Sequence, residues 1–366
     1  MLQIAFFTIW FIVTCNFIIN LVYLRPRKNT VSDKQISVVI PCRDEENHIE
    51  LCLKSCLQNG NNFSEIIVVD DGSSDGSVEK IRTMMQRSKL IKLISAKRPD
   101  GWSGKSYACF VGAQSAKSNL ILFLDADVRL KTNVHIPISK FDLTFFIPEF
   151  INSNLSEKIF IPFRINFLLL FLLPMSLMNV NIQGKAVFAN ALGQILLVRK
   201  DKYFLAGGHE KIKSSIVDDI ALAQLFVSEG MKIEGRRGQH LAQVKMYDSF
   251  ADCWRGCMKN YYANFGGSIL NLTLLWIFIF IFILTPFVFV IISPIFSLLL
   301  LISNVCMWIC LMSFTYWKFS FVDFILSIVG IFFNFACSAE SFRRGIFKIG
   351  YVWKERIIMT EVTPRK

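Results

Sequence analysis

The sequence predicts a doubly wound, mostly parallel α/β sheet held between membrane-crossing helices. Three observations lead there. Short unbroken apolar runs recur, each ending abruptly in an acidic or polar cluster, as strands buried on both faces of a parallel sheet do. Each run is followed by a helical pattern, so the chain repeats strand, loop and helix. Hydrophobic residues make up 53% of the 366, too many for an ordinary soluble enzyme. They gather at the two ends and in one central patch, leaving residues 34–135 with the composition of a soluble domain.

Leu2–Leu24 carries no charge and is long enough to cross a bilayer. It lacks the charged start and small-residue cleavage site of a secretory signal, so residues 1–25 read as a retained anchor. Arg25, Arg27 and Lys28 follow at once, which places the next domain on the cytoplasmic side of the cell membrane.

Ile36–Ile40 is a strand ending at Pro41, followed by Arg43, Asp44, Glu45 and Glu46 and a helix from about Asn47 to Gln58. Ile66–Val69 runs into Asp70-Asp71-Gly72-Ser73, and a helix capped by Ser74 or Asp75 continues to about Gln86. Leu90–Ser95 is a third strand. Lys97 to Lys105 forms a basic, glycine-bearing loop, and a helix from Ser106 leads into Asn119–Val128, NLILFLDADV.

Every polar cluster therefore sits on the loop after a strand, where open α/β sheets bind ligands. A tight turn can aim Asp125 and Asp127, one residue apart, at a single hard cation, Mg²⁺ or Mn²⁺. An isolated DxD is more often a solvated turn; the neighbouring loops shift the balance here. Asp70 and Asp71 can accept hydrogen bonds from a base or ribose, and Lys105 can offset diphosphate charge. Neither a G-x-G-x-x-G nor a Walker A loop is present, which argues against nicotinamide chemistry and P-loop hydrolysis.

The formal charge of +12 suits an anionic membrane face or phosphate handling. No basic helix or aromatic-basic sheet motif points to nucleic acid. Three of the cysteine pairs, Cys52/Cys56, Cys253/Cys257 and Cys306/Cys310, are spaced i, i+4. Zinc would want closer pairs or histidine partners, so these read as reduced packing residues.

VVIPCRDEENHI, VVDDGSSDGS, GWSGKSYAC, DAD, LGQILLVRKDKYFLAGGH and VDDIALA, in that order over roughly Ile36–Gly267, resemble a family 2 glycosyltransferase with the GT-A fold. Within the family the chain looks most like enzymes that glycosylate a carotenoid acid. The resemblance implies that Asp71 contacts uracil, with Pro41, Arg43 and Glu45 lining the nucleotide pocket. It makes Asp127 the principal metal ligand and Asp125 a helper at the metal or nucleotide sugar. It puts the catalytic base at Asp219, the second acid of a motif that here reads Asp218-Asp219; a helix N-terminus favouring negative charge is the plainer account of that pair. A partial QxxRW element leaves Trp254, Arg255 and Lys259 as candidate diphosphate or acceptor contacts, with a lipid-facing basic stripe as the alternative, and His209 as a residue facing the acceptor. The implied reaction is an inverting transfer of a hexose, glucose from UDP-glucose, to a lipid acceptor, with other enzymes of the same lipid pathway as candidate partners. A transferase for another lipid, a polysaccharide synthase and a catalytically silent scaffold are the rivals.

The expected organisation is an anchor over 1–25 and a transferase domain over 34–267, divided at 135 into nucleotide and acceptor halves. Membrane helices follow over 268–340, and a basic tail over 341–366. Ile165–Met178, broken by Pro174, is short for a span and reads as an interfacial helix. Ile269–Ile292, Pro294–Trp317 and Ser320–Ala339 are candidate spans of a multi-pass protein. Three such spans would put the tail outside, whereas its basic residues favour the inside.

Overall fold

The computed structural model describes residues 2–24, 36–151, 154–164, 174–315, 320–353 and 356–358. The orienting Arg25, Arg27 and Lys28, the 165–173 part of the expected interfacial helix and the last eight residues of the tail lie outside them. The chain forms two compact units, one of residues 23–151 and 175–246, the other of residues 1–22, 152–174 and 247–366. Residues 247–267, expected with the acceptor half, thus group with the long helices.

After α1 (Leu2–Tyr23), the mixed α/β unit runs β1 (Ile36–Cys42), α2 (Ile49–Gln58), β2 (Phe63–Asp70), α3 (Ser77–Arg87), β3 (Ile91–Ser95), α4 (Gly104–Ser115) and β4 (Leu120–Leu124). It continues with β5 (Val128–Leu130), β6 (Leu143–Ile147) and β7 (Glu149–Phe150). Past α5 (Leu155–Pro162), which belongs to the other unit, come β8 (Ile195–Arg199), α6 (Lys200–Ala206), α7 (Gly208–Lys211), α8 (Asp218–Ser228), β9 (Ile233–Arg237) and β10 (Ala242–Val244). The central sheet has the order β3-β2-β1-β4-β8-β6-β9. Its strands are parallel except β8, which is antiparallel to both β4 and β6. The sheet is mostly parallel, as its apolar runs imply.

Alternation across the pleat explains the packing. Val38, Ile40, Val68, Leu122, Leu124, Ile195 and Leu197 share one core with Ile49, Cys52, Leu53 and Cys56 of α2 and Ile81 and Met84 of α3. Cys52 and Cys56 are packing residues, as their spacing implies. Pro41 is tolerated inside β1 because the ladder to β4 stops at Val39 and asks no donor of it. Two helix starts differ from expectation. The cap of α3 is Gly76, with Asp75 Oδ1 accepting from Ser77 N–H at 3.0 Å. α4 starts at Gly104, because Ser103 Oγ accepts from Ser106 N–H at 3.2 Å.

The second unit gathers α1 and α5 with α9 (Phe250–Asn264), α10 (Ile269–Ile292), α11 (Pro294–Thr315) and α12 (Phe321–Ile346), followed by β11 (Tyr351–Trp353) and β12 (Arg356–Ile358). Ser327, Gly330, Asn334, Ser338 and Ser341 form a buried stripe along α12. Trp308 Nε1–H donates to Ser327 at 2.6 Å, Tyr261 O–H to Asn334 at 2.6 Å and Trp276 Nε1–H to Ser338 at 2.9 Å. Small residues that admit close neighbours, together with interhelical hydrogen bonds, are how helices associate where no hydrophobic effect separates them from lipid. Among the described residues α12 alone is long and apolar enough to cross a membrane; a second would be α9 with the first half of α10, bent by 113°.

Candidate active site

The acids that close β2 divide their work. Asp70 turns back on its own loop, accepting from the N–H groups of Gly72 (3.2 Å) and Ser73 (3.1 Å) and from Ser73 Oγ–H (2.6 Å). It shapes the turn. Asp71 N–H donates to Cys42 O at 2.9 Å, which fastens β1 to β2 at their C-terminal ends. Arg43 Nη1 donates to Asp71 O at 2.8 Å and lies 3.8 Å from Asp71 Oδ2. Burial pushes the Asp71 carboxyl up, opposed by Arg98 and Arg43. Pro41 at the end of β1, Arg43 and Glu45 on the loop after it and Asp71 after β2 therefore lie at adjoining strand ends, with Glu45 N–H anchored on Ser77 Oγ at 2.8 Å.

At the end of β4, Asp125 N–H donates to Gln194 O at 3.0 Å and Val128 N–H to Asp125 O at 3.1 Å, closing the DAD turn. Lys105, in the first turn of α4, grips the Asp125 carboxylate at 2.7 and 3.0 Å and lies 3.9 Å from Asp218 Oδ2. Burial acts most strongly to lower the Lys105 ammonium, but Asp125, Asp218 and Cys109 together outweigh it and hold the charge well above the ordinary lysine range. Asp127 is half-buried in the same turn.

Asp218 and Asp219 open α8, where the helix dipole favours anions. Asp219 Oδ2 accepts from Gly193 N–H and Oδ1 from Ile220 N–H, both at 2.8 Å. Burial, then the neighbouring Asp218, push the Asp219 carboxyl up to about 6, against the pull of Lys105 and those two N–H groups. A carboxylate tuned toward neutrality is suited to proton abstraction. Lys105, Asp125 and the adjacent pair Asp218-Asp219, from three separate segments, thus form one cluster. Ser103 N–H, donating to Lys213 O at 2.6 Å, ties the loop before α4 to the loop before α8.

His209 departs from expectation. It is 1% exposed, against the rings of Phe123 and Tyr203, and so does not face an acceptor. Its Nε2 lies 3.8 Å from Asp218 Oδ2. Three residues of the LGQILLVRKDKYFLAGGH stretch join the site with no role assigned to them from sequence. Tyr203 holds His209. Gly193 leaves room for Asp219, since a Cβ there would stand 3.1 Å from Asp219 Oδ2 and 3.3 Å from Lys105 Nζ. Gln194 is buried, with its Oε1 lacking a hydrogen-bond partner. The signal for the last two was the Gly-Gln pair just before an apolar run.

Trp254, Arg255 and Lys259 lie on α9, in the other unit. Arg255 pairs with Asp252 at 2.6 Å on an exposed face, and Trp254 stacks on Phe250 and edges onto Phe160.

Among the described residues no three His, Cys, Asp or Glu side chains gather as a metal cage. Two hard carboxylates on one turn still fit Mg²⁺ or Mn²⁺, because such ions are commonly held by one or two carboxylates and complete their shell with substrate phosphates and water.

Residues 37–137 match the family described as Glycosyl transferase family 2. The chain is 26% identical over 267 residues to the 4,4'-diaponeurosporenoate glycosyltransferase of Staphylococcus aureus (strain USA300), covering 70% of this chain and 69% of that protein. Among solved structures it is similar to a mannosyltransferase of Pyrobaculum calidifontis in complex with GDP-Man and Mn²⁺, at 15% identity and a TM-score of 0.46, covering 69% of this chain and 72% of the other.

Proposed function

We propose, from the premise that this chain is a family 2 glycosyltransferase, that it moves glucose from UDP-glucose to a carotenoid acid at a membrane, forming a glycosyl ester with inversion. The observation that carries the reading is the convergence of Lys105, Asp125, Asp218 and Asp219 beside the DAD turn. The similarity to the diaponeurosporenoate enzyme supports the acceptor. The exposed apolar side chains of Ile269, Leu270, Phe287, Ile291, Ile295 and Phe321 support a multi-pass membrane setting.

Asp71 and Arg43 receive the nucleotide, and Glu45 and Pro41 wall its pocket. Asp127, with Asp125, would hold the divalent cation, which supplies positive charge to the departing diphosphate. Lys105 offers a second cation to that charge. Asp219 orients the acceptor oxygen opposite the leaving group and can take its proton. A carboxylic acceptor is already ionised at neutral pH and needs only the orientation.

One observation favours a second reading. A base pushed up to about 6 is of most use to an acceptor that has a proton to lose, which points to a lipid alcohol. The test is chemical: cells making a carotenoid acid and expressing this chain should gain a hexosylated pigment by mass spectrometry, and the Asp127→Asn variant should not. A hexosylated alcohol with the acid untouched would favour the second reading.

A further inference from the structure

Two adjacent carboxylates open α8, and only one can be the base. The Gly207-Gly208-His209 corner behind them decides which. Gly207 and Gly208 have φ of 95° and 51°, the left-handed region glycine favours, and a Cβ on Gly208 would stand 2.5 Å from the Tyr203 ring. This close turn seats His209 N–H on the Tyr203 oxygen at 3.1 Å. The phenol also lies 2.8 Å from His209 Nδ1. With its oxygen already accepting from the backbone, Tyr203 has its own proton to give, and Nδ1 is the acceptor within reach. Nδ1 is then bare, and the neutral ring carries its proton on Nε2. That nitrogen lies 3.8 Å from Asp218 Oδ2, the oxygen Lys105 Nζ approaches at 3.9 Å. Tyr203 is 0% and His209 1% exposed, so neither meets substrate.

We propose that Tyr203 and His209 are positioning residues for the carboxylate pair: Tyr203 fixes the Nε2–H form of His209, which keeps Asp218 turned toward Lys105 and leaves Asp219 to the acceptor. Gly193 N–H and Ile220 N–H hold Asp219 independently, so the two acids have separate supports. The role rests on the transferase reading of Asp219; the tautomer does not.

The test combines spectroscopy with kinetics on the full-length detergent-solubilised protein labelled with ¹⁵N-histidine. There are four histidines, and the resonance lost in His209→Gln identifies the ring. The wild type should show the Nε2–H tautomer, and Tyr203→Phe a shift toward Nδ1–H. In sugar transfer, His209→Leu should lose roughly tenfold or more in kcat with the donor KM held, as misplacing a residue behind a base does. His209→Gln, which keeps an N–H on a side chain of similar reach, should recover much of the loss. An Nδ1–H ring in the wild type, or wild-type kcat in His209→Leu, would overturn the proposal. Should His209→Leu not fold, Tyr203→Phe decides: unchanged tautomer and unchanged kcat overturn it as well. A wild type inactive toward every acceptor while showing the Nε2–H ring would instead reject the transferase role of Asp219.

Discussion

Lys105 Nζ stands 2.7 Å from Asp125 Oδ1, joining the first turn of α4 to the end of β4 across 20 residues of chain. Asp218 lies just beyond at 3.9 Å, so one ammonium serves carboxylates from two loops. Replacing it by methionine keeps the length and removes the charge. Lys105→Met should lower kcat/KM for the donor by about 10²–10³-fold, the scale of losing one preorganised charge at a leaving group, while Lys105→Arg retains part of the activity. Donor titrations at fixed cation concentration make the comparison.

Gly193 tests the support of Asp219. Gly193→Ala places a methyl 3.1 Å from Asp219 Oδ2, so the carboxylate must shift. The expected outcome is a fall in kcat of roughly tenfold or more with little change in donor KM. An unaltered kcat would separate Asp219 from the rate.

Asp219 should also leave a mark on stability. Its folded-state carboxyl is raised to about 6, above the ordinary range near 4. The stability this group contributes is complete below about pH 4 and is lost as the pH rises through about 6. Asp219→Asn, which cannot ionise, should therefore be more stable than wild type at pH 7–8, by on the order of 1–3 kcal/mol. The difference should shrink toward pH 4. Urea unfolding of the detergent-solubilised protein at pH 4.5 and 7.5 reads both points.

The parts of the site that were legible in sequence share a physical reason. An apolar run that stops dead at Asp125 or Asp70 marks the sheet's C-terminal edge, and Lys105 follows a loop whose glycines and charges exclude a core role. The direction of β8 was not legible, because ILLVR has the same buried composition whichever way it runs. The roles of Gly193 and Tyr203, both inside the LGQILLVRKDKYFLAGGH motif, were not legible because they come from space and angle rather than charge. One gives Asp219 room 26 residues away in sequence; the other reaches back across a glycine corner. The resemblance turns His209 toward the acceptor, and the same corner turns it inward. Arg255, four residues before Lys259, reads equally as a diphosphate contact or as part of a lipid-facing basic stripe, and it pairs with Asp252 on its own helix.

The DAD turn supplies a direct test of cation use. Asp127→Asn should abolish transfer at every Mg²⁺ or Mn²⁺ concentration tried while the protein keeps its wild-type unfolding transition. Chelation should silence the wild type and added cation should restore it. Transfer by the variant at the wild-type rate would remove Asp127 from the metal site.

Transfer to a carotenoid acid, with Asp219 as the acceptor-side carboxylate, is the proposed reaction. Single-turnover transfer from UDP-glucose by wild type and Asp219→Asn, with a carotenoid acid and a lipid alcohol offered separately, tests it most directly. The expected result is a glycosyl ester from the wild type, with only part of that rate lost in Asp219→Asn, because an ionised acid needs orientation but no base. Any alcohol transfer should fall by about 10²–10⁴-fold in the variant, the usual scale for a general base. Wild-type transfer to the alcohol with none to the acid would contradict the proposed acceptor.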